Sequence, residues 1–79
     1  MAAANIDQTL DVTGLKCPLP ILKAKKALAQ MNAGQVLQVL ATDAAAPDDF
    51  AAFCRQTGHV LLAADTLESG VFVLVVRHK

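Results

Sequence analysis

Cys17 stands between Lys16 and the run Pro18-Leu19-Pro20, at the entrance to a lysine-bearing amphipathic stretch. A thiol in that setting has a route to activation. Pro18 and Pro20 lack a backbone N–H and hold φ near the helical value, so they suit the first turn of a helix, with Cys17 as its N-cap. From there Ile21, Ala24, Leu28 and Met31 recur at steps of three and four, while Lys23, Lys26 and Gln30 fall on another face. The spacing predicts an amphipathic helix from Pro18 to Ala33 with Gly34 as its C-terminal cap. A cap thiol faces the positive end of the helix dipole and the first-turn N–H groups that the prolines leave in place. Adjacent Lys16 and more distant Lys23 add positive potential, which predicts a thiol pKa below its free value of about 8.5. The two missing proline donors work in the opposite direction.

The elements that must position this thiol follow from the rest of the pattern. Gln8 to Val12 read as a strand and Thr13-Gly14 as a turn. Gln35 to Ala41, with β-branched residues and polar punctuation, read as a second strand. Pro47 opens a second helix reaching Thr57, with Phe50 and Phe53 inward and Gly58 as the stop. His59 to Ala64 and Val71 to Arg77 complete the set as strands joined through Thr66 to Gly70. The order βαβαββ predicts an α+β fold: a two-layer α/β sandwich with a four-stranded mixed sheet and two helices on one face. Val71 to Val76 is apolar at every position, which marks a central strand and leaves the uncovered sheet face with an apolar patch or a partner.

Composition sets the outer limits. Seventy-nine residues make a single domain, with residues 1–7 read as a loose tail. A hydrophobic content of 54% excludes disorder, and two cysteines are too few for a disulfide framework. The opening Met1 to Asp7 lacks the charge and apolar run of a signal peptide, and no apolar run approaches a membrane span. A reducing cytoplasm is the expected compartment. Net charge is zero, yet Lys16, Lys23, Lys25 and Lys26 cluster with no acid among them, which suits docking to an acidic protein surface. The absence of Trp and Tyr, with only three Phe, argues against direct nucleic-acid binding.

Gly-x-x-Cys-Pro-x-Pro leading into a lysine-rich helix, a Gly-opened strand closing on Ala-Thr-Asp, a helix bearing Asp-Phe-x-x-Phe-Cys and a final strand pair together resemble the TusA/SirA-like family of small sulfur-carrier proteins. The resemblance spans residues 9–77. It implies a sulfurtransferase role in which Cys17 takes a persulfide sulfur from a donor, such as a cysteine desulfurase or a rhodanese-like protein, and passes it to an acceptor protein. It also implies the same two-layer architecture, and it matches Asp43 to an acidic position. Two local differences stand out. Lys16 and Leu19 replace the Arg and Glu that flank the thiol in tRNA-thiolation members, and Ala44 to Ala46 intervene before Pro47.

Each candidate also has a plainer role. Cys54, four residues after Phe50, reads as a small buried apolar side chain. Lys16 is the lysine best placed to act on the thiol, with Pro18 and Pro20 fixing the loop, whereas Lys23, Lys25 and Lys26 are either a solvated face or a docking patch. Asp43 is either a cap or a partner-orienting acid. His59 and His78 form no recognisable zinc spacing with the cysteines, and no cofactor is implied. Two rival readings remain beside the sulfur carrier: a one-cysteine redox protein and a non-catalytic interaction module.

Overall fold

A computed structural model describes residues 5–79. Its elements are β1 (Gln8–Val12), α1 (Leu19–Ala29), β2 (Val36–Ala41), α2 (Ala46–Thr57), β3 (Val60–Thr66) and β4 (Phe72–Arg77). They form one four-stranded sheet in the order β1-β2-β4-β3. β1 runs parallel to β2, while β4 is antiparallel to both β2 and β3. The mixed sheet follows from the connections, because a parallel neighbour needs a helical crossover and an antiparallel one needs only a turn.

Alternation decides which side chains build the core. Leu10 and Val12 of β1 pair with Val39 and Ala41 of β2, and Leu37 and Val39 pair with Val76 and Leu74 of β4. These residues meet Ala24, Leu28, Phe50, Phe53 and Cys54 from the two helices in a single cluster, so both helices cover the same sheet face. Phe50, Leu37, Leu74, Val12, Val39 and Val76 are fully buried.

The opposite face carries Leu40, Val73 and Val75, all half-buried, beside exposed Val60 and between the polar Thr9, Asp11, Gln38 and Asp65. β4 is therefore an interior strand with a second, open apolar side. A bulge in β3 between Leu61 and Ala63 puts exposed Leu62 out of register.

Most boundaries lie within one residue of the sequence expectation and β3 runs on to Thr66, while three differences have a hydrogen-bonding cause. α1 ends at Ala29, because the Gln30 N–H donates to the Ala27 carbonyl and the Met31 N–H to the Leu28 carbonyl, three residues back in each case. These tightened bonds close the helix before Ala33. Gly34, at φ 85°, instead serves the turn into β2, where its N–H donates to the His78 carbonyl. At the other end α1 begins at Leu19, with Pro18 as N-cap, so Cys17 lies outside the helix. Asp7, expected in the tail, exchanges two hydrogen bonds with Val36 through its N–H and its carboxylate. Residues 1–4 of the expected tail lie outside the described residues. Gly58 does cap α2, at φ 90°, with its N–H donated to the Cys54 carbonyl.

Candidate functional site

Because β1 and β2 are parallel neighbours, the loops after both strands leave the same edge of the sheet, and this edge presents Cys17. The loop after β2 holds the loop after β1. The Gly14 N–H donates to Thr42 Oγ1 at 2.8 Å, and the Cys17 N–H donates to Asp43 Oδ2 at 3.1 Å. Asp43 also accepts the Ala46 N–H through its carbonyl, so one residue links the thiol loop to the start of α2. The Leu19 N–H closes a turn onto the Lys16 carbonyl across Cys17 and Pro18, and the Cys17–Pro18 peptide is cis. Pro20 is buried and anchors the loop, while Lys16, Cys17 and Leu19 are exposed.

Cys17 lines a cavity of about 260 Å³ between the helices, walled by Pro18, Ile21 and Lys25 on one side and by Asp49, Ala52 and Phe53 of α2 on the other. Asp49 is the site residue that the sequence reading did not single out. Its signal was its place in Asp-Phe-x-x-Phe-Cys: with Phe50 and Phe53 turned into the core, the preceding Asp49 falls at the helix edge facing the thiol loop.

The thiol pKa moves opposite to the expectation: it is raised. Hydrogen bonding to the Asp49 carboxylate is the main cause, followed by desolvation and by the negative charges of Asp49 and Asp43. The helix entry offers little to oppose these acids. Pro18 and Pro20 supply no N–H, the Leu19 N–H is spent on Lys16, and the Leu22 N–H is spent on the Pro18 carbonyl. Little remains of the donor set that would solvate a sulfur anion, and the nearby carboxylates favour S–H over S⁻. The groups that set the ionisation are thus acids and not Lys16 or Lys23.

The lysines also part company. Lys25 lines the Cys17 cavity, whereas Lys23 and Lys26 line a separate shallow pocket with Leu10 and Gln30 on the other side of α1. Exposed Leu22 and Leu19 lie near the thiol loop. Cys54 is buried, and burial pushes its thiol pKa up, as suits a packing role. No group of three or more metal-ligating side chains occurs among the described residues. No helix among them is long and apolar enough to cross a membrane.

The family model described as Sulfurtransferase TusA matches residues 8–78. The chain belongs to this family. It is 75% identical over 72 residues to a Neisseria meningitidis serogroup A protein named "putative sulfur carrier protein", covering 91% of this chain and 96% of that one. Against the sulfur carrier protein TusA of Allochromatium vinosum the identity is 50% over 74 residues, or 94% of this chain and 96% of the relative. The crystal structure of a SirA-like protein from Desulfitobacterium hafniense superposes with a TM-score of 0.80 at 28% identity, covering 89% of this chain and 95% of that one. The TusA/SirA-like resemblance and the four-stranded, two-helix architecture both stand on these comparisons.

Proposed function

We propose that this protein is a sulfur carrier, acting as a sulfurtransferase whose Cys17 holds a sulfane sulfur as a persulfide. The observation that carries this reading is an exposed thiol at the mouth of an interhelical cavity, in a loop fixed by its neighbours, in a chain matched to the TusA family over nearly its whole length. In loading, the Cys17 sulfur attacks the outer sulfur of a donor persulfide. The donor's S–S bond breaks, its thiolate leaves with the bonding pair, and the proton from Cys17 ends on the donor thiol. The products are Cys17–S–SH and a donor thiol, with no net oxidation. Delivery is the same exchange, with an acceptor thiolate attacking the outer sulfur and Cys17 leaving. The donor is of the cysteine desulfurase or rhodanese-like kind, and the acceptor is a downstream protein thiol. No cofactor takes part in the exchange.

Within this reading Asp43 positions the thiol loop through the Cys17 N–H, Pro18 and Pro20 shape it, and Lys16 contributes to partner approach. Lys23, Lys25 and Lys26 serve docking from two different faces of α1. The test is loading from a cysteine desulfurase supplied with radiolabelled cysteine. Label should transfer to wild type and to Cys54→Ser, and not to Cys17→Ser. Label retained by folded Cys17→Ser would reject the site.

A further inference from the structure

The Cys17 cavity does not stop at the thiol. A second cavity, lined by Leu28, Phe53, His59, His78 and Lys79, shares Lys25, Phe53 and Thr57 with the first. Together they form a groove between α1 and α2 that runs from the thiol loop to the end of β4. Its floor is apolar, and its charge changes sign along its length. Asp49 stands at the thiol end. Lys25 stands where the two cavities meet, and with His59, His78 and Lys79 it lines the second, where no carboxylate side chain joins them. The two imidazoles are edge-to-face, with centroids 4.8 Å apart. His59 Nδ1 accepts the Lys79 N–H at 3.1 Å, which leaves the proton of a neutral His59 on Nε2 as a donor. His78 Nδ1 lies 2.8 Å from the main-chain oxygen of Lys79. The positive surroundings are strong enough for His78 and Lys79 to join burial in lowering the His59 pKa.

We propose that this groove seats an extended acidic segment of the sulfur-exchange partner, with the partner's cysteine at Cys17 and its carboxylates at the Lys25, His59, His78 and Lys79 end. The partner's role in sulfur exchange rests on the persulfide reading; the groove's charge order and shape do not. Ile21 and Ala29 mark the two ends along α1. Eight residues of helix rise about 12 Å, which is the reach of about four extended residues at about 3.3 Å each. The occupant therefore carries its acids about four residues from its cysteine. A change of charge sign along the groove fixes direction as well as affinity, because a reversed segment places its carboxylates against Asp49.

Synthetic peptides with one cysteine, held as a thionitrobenzoate mixed disulfide, test this directly. Cys17 attacks the peptide sulfur, the peptide–Cys17 disulfide forms, and the coloured aryl thiolate leaves with the bonding pair while the Cys17 proton goes to solvent. Two peptides carry a Glu pair four residues before or after the cysteine, and two matched peptides carry a Lys pair. Rates are divided by that of a small neutral aryl disulfide, which removes any change in the thiol itself. One Glu peptide should react several-fold faster than its Lys counterpart, and the other Glu peptide should not. Lys25→Glu with Lys79→Glu should abolish or invert that advantage, whereas Arg55→Glu with Arg77→Glu, two exposed cations that line neither cavity, should leave it unchanged. Equal normalised rates for all four peptides, or an equal loss from both double variants, would overturn the proposal. Either result would leave sulfur loading of Cys17 untouched, so the groove and the persulfide reading fail separately.

Discussion

At the scale of single residues, the thiol is governed by two carboxylates that sequence adjacency did not reveal. Lys16 sits next to Cys17 in the chain and suggested a depressed pKa, but Asp49 meets the thiol from another element and Asp43 binds its backbone. Asp49→Asn keeps the shape and removes the charge, so the midpoint of the alkylation rate against pH should move to lower pH. Asp48→Asn, at the exposed neighbouring position, should leave it in place, and an Asp49→Asn profile that does not move would take Asp49 out of the site. Asp43→Ala deletes the acceptor of the Cys17 N–H, a charge-assisted bond at the surface, and should cost about 1 kcal/mol in denaturant unfolding. His59 offers a stability change with a defined sign. Its pKa is lowered, by burial first and then by His78 and Lys79. Its contribution is therefore fully present above the ordinary imidazole value of about 6.5 and is lost as pH falls through the lower, folded value. His59→Phe keeps a ring beside Phe53 and removes the titration, so the gap in stability between wild type and variant should change across that acid range. A constant gap would show that folding does not shift the His59 titration.

At the scale of elements, periodicity and punctuation made most of the fold readable, and the misplacements cluster at helix ends. The Ala24-Leu28-Met31 spacing in one segment and Phe50-Phe53 in the other revealed the inward faces, and the β1 bounds, Gln8–Val12, coincide with those read from alternation. Gly34 was misread as a helix cap because a glycine after an amphipathic run has the same sequence appearance whether it ends the helix or turns the chain afterwards. Only the Gln30 and Met31 bonds show that α1 had already closed. Gly58 supports a sharper test of the cap itself. A Cβ there would meet nothing nearer than the Lys79 side chain at 3.5 Å, an ordinary contact, so Gly58→Ala isolates the cost of φ 90°. That substitution should destabilise by about 1–2 kcal/mol in denaturant unfolding. Phe50→Ala, at a fully buried position under both layers, should cost about 3–5 kcal/mol.

At the scale of the whole molecule, the topology explains why the site lies where it does. Parallel pairing of β1 with β2 brings the Cys-Pro-x-Pro loop and the Thr42-Asp43 loop to one edge, and α2 crosses back to set Asp49 against them. The motif singled out Cys17, which the fold leaves exposed, and buried Cys54 was legible from its helical phase. The groove to His59 and His78 was not, because its walls come from α1, α2 and the end of β4, with 53 positions between Lys25 and His78. The lysine cluster divided for the same reason: three positions close in sequence point to two sides of one helix. The central claim is that Cys17 takes up and gives back a single sulfur. Intact-mass measurement tests it most directly: the protein is incubated with a small-molecule persulfide, freed of reagent, and chased with excess small thiol. Wild type and Cys54→Ser should gain the mass of one sulfur atom and return to the starting mass in the chase, and Cys17→Ser should gain none. A gain in Cys17→Ser, or a wild-type protein that takes up no sulfur, would contradict the account.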